Sequence, residues 1–359
     1  MLKGTAFALG QGERLDWPDD EILATLKFPE FQKLSASRVR KAEQDAIAYL
    51  LERQRADGSW ISPTEVVLYA KNKTNNFTQA VTAICAQGLL PHREEARVND
   101  AVKRAIDFLI RDRKKEKAEE KIPYYMDYTV WSMAYRLWFF ADCIEAGLVE
   151  KVDVETMMAE FISEIGKKQK SGGGWSYYVT TDLSNAGQPS NQSISFITAA
   201  ALYALLETRD AGVSVPKEIT DSALGCLERM HNANATFEYM LNHDREEAPR
   251  STAVPGAAGR SPLCTLTLYK GGRGDVEAIE RALDLFMEHR HTYSKEKGKT
   301  LMHTGLHAQG SHYLMFDYAF AAAAVRHLPK RQQAKYRKPL LDQILDARSV
   351  EGNAQVRLS

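Results

Sequence analysis

The stretches LLERQRADGSW (residues 50–60) and IGKKQKSGGGW (residues 165–175) share one spacing: an apolar helix end, Gln, three residues, Gly, one residue and Trp. The two glutamines, Gln54 and Gln169, are 115 residues apart (169 − 54 = 115). That distance is about twice the length of a helical-hairpin repeat. The sequence therefore predicts an all-helical protein built from internal repeats.

Two weaker copies of the same spacing lie further along the chain, in LERMHNANATF (227–237) and ILDARSVEGNA (344–354). The residues that align with Gln, Gly and Trp are His231, Ala235 and Phe237 in the first and Arg348, Gly352 and Ala354 in the second. The anchor positions 54, 169, 231 and 348 predict six units of about 60 residues. Two units have then lost the motif and end near Asp112 and Arg290.

A second kind of helix is predicted between the motif copies. These segments are rich in Ala and apolar on most faces, which is typical of buried helices; they are residues 77–90, 128–147, 193–212, 261–272 and 313–328. The helices before the motif copies are two-faced and more charged. Gly88, Gly147, Gly212 and Gly271 or Gly272 are expected to end the buried helices. No segment shows a convincing strand pattern.

These patterns predict an all-α protein whose fold is an α/α toroid of about six helical hairpins. Residues 36–359 form the single toroid domain of this prediction. Residues 1–35, which contain Trp17, Pro18 and Pro29, are predicted to form an irregular N-terminal arm that wraps the toroid.

The composition excludes several classes of partner. Lys plus Arg and Asp plus Glu both total 47, so the net charge of zero gives no electrostatic reason to bind nucleic acid. No apolar run approaches the ~20 residues of a transmembrane helix. The first residues are too polar for a signal peptide, and the absence of a CxxC pair predicts four reduced thiols, at Cys85, Cys143, Cys226 and Cys264. We therefore expect a cytoplasmic protein, or a periplasmic or exported one if a signal peptide has been removed.

The Gln-x3-Gly-x-Trp spacing resembles the QW repeat of the terpenoid cyclase and protein prenyltransferase superfamily, and of squalene–hopene cyclases in particular. The resemblance covers most of residues 36–359 and implies the α/α toroid. In that superfamily the Trp stacks on the Gln amide and ties outer helices together. It therefore implies a structural role for Gln54, Trp60, Gln169 and Trp175.

The catalytic motifs of that superfamily are missing from this chain. Class II cyclases use an Asp-x-Asp-Asp motif on an inner helix, and protein prenyltransferases hold zinc with an Asp-x-Cys pair and a later His. Neither motif occurs in the sequence. The resemblance therefore predicts the fold more firmly than a reaction, and it leaves open whether the protein is an enzyme.

A histidine-rich stretch is the strongest candidate for chemistry. HTGLHAQGSHYLMFDY (303–318) contains His303, His307 and His312, followed by Asp317. Three imidazoles are a ligand set that catalytic zinc uses, so we predict a zinc site at these histidines as one alternative to ordinary polar packing at a helix start. Without a metal, His312 and Asp317 are predicted to transfer protons, with Asp127 as a second carboxylate.

A second candidate is a set of aromatic and charged residues at the entrances of the buried helices. Closure of a toroid would bring these entrances to one mouth, where aromatic walls suit an apolar ligand, a carbocation or a sugar ring. The predicted ligand-binding residues of this set are Tyr124, Tyr125, Tyr128, Tyr177 and Tyr178. Arg260, at the end of the Gly- and Ala-rich stretch VPGAAGR (254–260), is predicted separately to bind a diphosphate or carboxylate, with a flexible loop as the alternative.

Three functions remain as alternatives at this stage. The first is the binding of an apolar or isoprenoid-like small molecule in the central cavity. The second is a carbohydrate-active lyase or glycosidase whose partner is a glycan. The third is a non-enzymatic interaction scaffold, in which side chains fill the mouth.

Overall fold

The computed structural model describes residues 34–61, 76–116, 127–177, 190–244, 253–294, 314–351 and 355–358. Helices carry most of this part of the chain. In order they are α1 (Ala36–Arg53), α2 (Asn76–Leu89), α3 (Ala96–Glu116), α4 (Thr129–Glu145), α5 (Lys151–Lys167), α6 (Ser195–Asp210), α7 (Lys217–Met230), α8 (Val254–Ala257), α9 (Ser261–Lys270), α10 (Val276–Ser294), α11 (Leu314–Val325) and α12 (Lys330–Ala347), with a 3-10 turn at Leu90–His92. The all-α prediction is confirmed.

The long helices form two layers. Helices α2, α4, α6, α9 and α11 pack against one another in that order, and α3, α5, α7, α10 and α12 each pack on an inner helix. The last outer helix, α12, also contacts α1. The two layers differ in burial: 13 of the 16 residues of the inner helix α6 are buried, whereas the outer helix α1 has no buried residue. These inner helices match the five predicted buried segments.

The first intact motif copy clamps two outer helices together. The Gln54 side-chain amide donates to the carbonyl of Gly58 (3.0 Å) and to that of Ala101 in α3 (2.8 Å). The Trp60 indole N–H donates to the carbonyl of Leu50 at 2.8 Å. Side chains of the motif therefore add hydrogen bonds to carbonyls of α1, of the turn and of α3, and so connect the two outer helices.

The second intact copy repeats this geometry. Gln169 donates to the carbonyls of Gly173 (2.6 Å) and Ile219 in α7 (2.9 Å). The Trp175 indole donates to the carbonyl of Ile165 at 2.8 Å. The structural role that the resemblance implies for both copies, a tie between outer helices, is confirmed by these contacts.

Glycine is required at the centre of both turns. Gly58 has φ +95° and Gly173 has φ +90°, in the left-handed region that L side chains rarely adopt. A Cβ atom would lie 2.2 Å from the Arg104 carbonyl oxygen in the first turn and 2.1 Å from the Ser222 carbonyl oxygen in the second. The turn can approach the neighbouring outer helix this closely only because the side chain is absent.

Two sequence predictions about local structure are wrong. Gly88 does not end an inner helix, because α2 continues to Leu89 and the 3-10 turn follows. Short strands also exist, in two antiparallel pairs: β1 (Gln192–Ile194) with β2 (Met240–Asn242), and β3 (Arg348–Glu351) with β4 (Gln355–Leu358). Strands of three or four residues are too short to leave a clear alternation of apolar and polar residues.

The described helices include none that is both long enough and apolar enough to cross a bilayer. The four cysteines are free thiols, three of them buried, as the sequence predicts. The predicted arm, residues 1–35, lies almost entirely outside the described residues.

Candidate functional site at the helix entrances

Aromatic rings meet at the N-terminal ends of three inner helices. Trp131 of α4 lies 6.0 Å from Phe196 of α6 and 5.5 Å from Phe316 of α11, measured between ring centroids, and the two phenylalanines are 6.1 Å apart. We call these three residues the upper aromatic layer. Because the rings come from α4, α6 and α11, which are not all consecutive in the chain, the layer bridges the space between the inner helices.

A second layer lies farther along the same three helices. Trp138 is 5.0 Å from Tyr203 and 5.7 Å from Phe320, and Tyr203 is 5.9 Å from Phe320. Phe316 and Phe320 are 4.9 Å apart and connect the two layers. Stacked and edge-to-face rings at these distances attract one another. In this part of the chain, rings from α4, α6 and α11 contact one another across the space between these helices.

Tyrosines surround the upper aromatic layer. Tyr128 stacks on Tyr177 with centroids 5.6 Å apart, and the Tyr177 hydroxyl is 2.6 Å from the Tyr239 hydroxyl. Tyr239 in turn lies 5.8 Å from Phe196. Tyr239 was not among the predicted residues. Its signal was present, because it follows Phe237 by two residues just as Tyr177 follows Trp175.

Asp127 is held in a charged state beside these rings. One carboxylate oxygen lies 2.7 Å from the Lys168 ammonium, and the other accepts hydrogen bonds from the Thr129 backbone N–H (2.8 Å) and hydroxyl. Its own backbone N–H donates to the Tyr177 carbonyl at 2.7 Å. Burial acts to raise the pKa of Asp127, but Lys168 and the hydrogen bonds outweigh it and leave the pKa below its usual value.

Arg260 lies just before α9 with its guanidinium held by backbone carbonyls. It donates from Nε (3.0 Å) and from one terminal nitrogen (2.7 Å) to the Phe237 carbonyl, and from the other to the Gly256 carbonyl (2.8 Å). The guanidinium carbon lies 5.8 Å from the centre of the Tyr239 ring, within the range of cation–π attraction. The side chain is therefore fixed at the edge of the aromatic wall.

Asp317 is the second carboxyl near these rings, and its pKa is shifted in the opposite direction to that of Asp127. It lies in the first turn of α11, next to Phe316, and is 6% exposed. Burial raises its pKa to about 8, although the positive charge of Arg260 acts in the opposite direction. Within the described residues no hydrogen bond to its carboxyl is found. At neutral pH this carboxyl is largely protonated and can donate a proton or a hydrogen bond.

The structure brings together five of the predicted residues. Contacts run from Asp127 through Tyr128, Tyr177 and Tyr239 to Arg260, whose charge reaches Asp317. We call Tyr128, Tyr177, Tyr239, Arg260 and Asp317 the mouth cluster. The remaining predicted residues lie outside the described part: Tyr124, Tyr125, Tyr178, His303, His307 and His312. Among the described residues, no group of three or more His, Cys, Asp or Glu side chains is placed to hold a metal ion.

No protein-family model matches the chain, and no curated protein sequence does. Solved structures do. A D-mannose isomerase is similar over 90% of both chains, with a TM-score of 0.57 and 12% identity. The α-1,6-mannanase GH76A of Salegentibacter sp. is similar over 85% of this chain and 86% of its own, with a TM-score of 0.53 and 11% identity. A type II terpene cyclase from Scytonema covers 86% of this chain and 78% of its own, with a TM-score of 0.49 and 16% identity.

This chain is an α/α toroid. The D-mannose isomerase and the mannanase, whose TM-scores are above 0.5, share its layered arrangement of helices, which confirms the predicted fold class. At 11–12% identity the likeness concerns the fold alone. The toroid fold is thus shown, whereas membership of the terpenoid cyclase and protein prenyltransferase superfamily stays a prediction.

Proposed function

We propose that the protein binds a small ring-shaped molecule, a saccharide, at the mouth cluster, and that Asp317 serves there as a proton donor. The observation that carries this proposal is a buried carboxyl with a pKa of about 8 beside a wall of aromatic rings. Perturbed acids in such surroundings are typical of functional sites. Sugar rings stack on aromatic faces, and the polar edges of the tyrosines offer hydroxyl groups to sugar oxygens.

The strength of the acid favours a saccharide over an alkene. A carboxyl that titrates near neutrality is suited to general acid catalysis at an oxygen, such as a glycosidic or carbonyl oxygen. Protonation of an alkene carbon requires a stronger acid, and burial has made Asp317 weaker. The toroid likeness to a mannose isomerase and a mannanase agrees with this choice but does not determine it.

Two carboxyls near the mouth are in opposite states, as acid–base chemistry needs. Burial keeps Asp317 protonated, and Lys168 keeps Asp127 charged. A protonated acid and a charged carboxylate are the two components of sugar-cleaving sites. In this proposal Asp317 donates the proton, Asp127 with its Lys168 partner provides negative charge, and Arg260 limits the rise in the pKa of Asp317.

An apolar ligand is the second candidate. The upper aromatic layer, Trp131, Phe196 and Phe316, presents ring faces that an isoprenoid chain could also contact. Such a ligand would gain its binding free energy from buried apolar area and would make little use of Asp317. The zinc site at His303, His307 and His312 stays a prediction, and a chelator control tests it.

The test is a binding titration that follows tryptophan fluorescence, since Trp131 lies in the wall. Mannose, α-1,6-mannobiose and farnesol are compared on the wild type, on Asp317→Asn and on Asp142→Asn, with and without EDTA. Asp142 is a matched control, because it is an inner-helix carboxyl with a pKa raised to about 6 by burial at the opposite end of α4.

We expect a saccharide to bind and Asp317→Asn to change its affinity, with Asp142→Asn unchanged. Binding of farnesol alone, insensitive to Asp317, would support the apolar candidate instead. If none of the three compounds binds, the saccharide proposal is wrong, and a scaffold role gains support.

A further inference from the structure

The second intact turn directs a lysine inward where the first directs an arginine outward. Lys170 and Arg55 occupy equivalent positions, each directly after the motif Gln. The Arg55 backbone N–H donates to the Ser59 carbonyl, and the Lys170 N–H donates to the Gly174 carbonyl. Arg55 is exposed, whereas Lys170 is half-buried and its ammonium donates to the Ser190 carbonyl at 2.6 Å. Only the second of these two turns therefore places a cation in a partly buried position.

Positive charge exceeds negative charge around this lysine. Lys168 pairs with Asp127 at 2.7 Å, but no described carboxylate lies within 4.0 Å of the Lys170 ammonium. Burial lowers the pKa of Lys170, the nearby Lys168 lowers it further, and Asp127 only partly opposes them. Two ammonium groups thus share one carboxylate in a partly buried place, where a bound anion would balance the charge.

A buried hydroxyl lies beside the same ammonium. Ser190 is 3% exposed, and among the described residues its Oγ has no hydrogen-bond partner, although its carbonyl accepts from Lys170. A buried polar group without a partner costs free energy, and such groups in native proteins usually have a ligand, ion or water. The hydroxyl of Ser190 is a donor of the kind that carboxylate and phosphate oxygens accept from.

We propose that Lys168, Lys170 and the Ser190 hydroxyl form an anion subsite that holds the carboxylate or phosphate group of the ligand bound at the mouth cluster. The subsite adjoins the mouth because Lys168 contacts Asp127, whose backbone N–H donates to Tyr177. This inference rests on the proposed function and narrows its substrate class from saccharides to acidic or phosphorylated saccharides.

Calorimetry at low ionic strength tests the subsite with four probes: inorganic phosphate, mannose, mannuronate and mannose 6-phosphate. The variants are Lys170→Met, Lys170→Arg, Ser190→Ala and the control Lys167→Met. Lys167 is a matched control because it lies three residues earlier, is 67% exposed and pairs with Glu164. Melting temperatures check folding. If Lys170→Met unfolds, Ser190→Ala replaces it, since the Ser190 hydroxyl has no partner to lose within the described part of the chain.

We expect mannuronate or mannose 6-phosphate to bind about tenfold or more tightly than mannose, because charge-assisted hydrogen bonds are among the strong ones. The one that gains identifies the anion as a carboxylate or a phosphate. Lys170→Met should remove the gain, Ser190→Ala should reduce it about threefold, and Lys170→Arg and Lys167→Met should keep most of it.

Each other outcome decides between the two proposals. Equal binding of all three sugars overturns the subsite and leaves the proposed function in place. Binding of phosphate alone, lost in Lys170→Met but not in Lys167→Met, supports the subsite and overturns the saccharide proposal. Equal loss in Lys170→Met and Lys167→Met, or no binding of any anion, overturns the subsite.

Discussion

The turn after α5 and the turn after α7 have the same backbone and different side chains. In the turn after α5, the Lys170 backbone N–H donates to the Gly174 carbonyl (2.8 Å), and the Gly173 N–H donates to the Lys170 carbonyl (2.8 Å). In the turn after α7, which we call the degenerate turn, the Asn232 N–H donates to the Thr236 carbonyl (2.8 Å), and the Ala235 N–H donates to the Asn232 carbonyl (3.0 Å). The motif residues are absent from the second turn, yet its path is kept. Main-chain hydrogen bonds thus define the turn, and the Gln and Trp side chains add the clamp between helices.

The loss of the clamp coincides with a gain at the mouth. In the intact turns the backbone N–H of the motif Trp donates to a threonine of the next inner helix, Trp60 to Thr82 and Trp175 to Thr198, both at 3.0 Å. In the degenerate turn the carbonyl of Phe237 accepts from Arg260 instead, 23 residues on, the same separation as between Trp175 and Thr198. The degenerate turn therefore holds a cation at the edge of the aromatic wall, where the two intact turns hold a threonine.

The turn after α5 also differs from the other two turns in one local hydrogen bond. Asp57 in the first turn and Asn234 in the degenerate turn each accept from the backbone two residues on, at 3.0 Å and 3.2 Å. The turn after α5 has Gly172 there, and a Cβ atom would lie 1.9 Å from the His243 ring. The three turns thus differ from one another at this position as well.

The largest effect is expected from Gly173→Ala. The new Cβ would overlap the Ser222 carbonyl oxygen at 2.1 Å, and φ +90° disfavours any L side chain. Together these should lower the free energy of unfolding by about 4 kcal/mol, measured by urea titration. A loss below about 1 kcal/mol would show that the intact turn can open as easily as the degenerate one.

Asp317→Asn tests the protonation state of the buried carboxyl near Arg260, the arginine that the degenerate turn holds. The folded pKa of about 8 lies above the unfolded value, so this group's contribution to stability is present at low pH and lost as pH rises through about 8. Between pH 5 and 8 the wild type should lose about 3–4 kcal/mol more unfolding free energy than Asp317→Asn. Parallel pH profiles from urea titrations would contradict the perturbed state of this carboxyl.

Trp175→Phe gives the turn after α5 the aromatic residue that the degenerate turn has at this position, Phe237. The substitution removes the indole N–H bonded to Ile165 and leaves a cavity in a fully buried place. We expect a loss of about 2 kcal/mol in unfolding free energy, read as a lower melting temperature. An unchanged melting temperature would mean that the clamp contributes nothing beyond the backbone turn.

Ala235→Gly should have the smallest effect and the opposite sign. Ala235 has φ +62°, the one non-glycine residue with positive φ among those described. Glycine relieves that strain but loses more chain entropy on folding, so we expect a gain below about 1 kcal/mol. A destabilised variant would show that the Ala235 methyl makes contacts that the turn needs.

The sequence predicted the architecture because repeated spacing and helix amphipathicity are local signals. It also predicted that Asp127, Tyr128 and Tyr177 lie at one mouth, and contacts in the structure connect these three residues. Arg260 and Asp317 came from separate predictions, and the roles of all five residues stay predictions. Trp131, Phe196 and Phe316 were missed because aromatic residues on an apolar helix are indistinguishable from core. Lys168 and Lys170 were missed since charges at a helix end usually face water, and only the fold shows that Lys170 turns inward.

The contact between α1 and α12 has a consequence for the newly made chain. The two helices that close the outer ring are separated by nearly the whole described sequence, and α1 has no residue that its other neighbours bury completely. At about 5–20 residues per second, a ribosome needs roughly 15–60 s to reach α12 after α1 has emerged. During that interval α1 lacks its final neighbour, so the seam of the ring is where a chaperone or a protease would most readily find the incomplete protein.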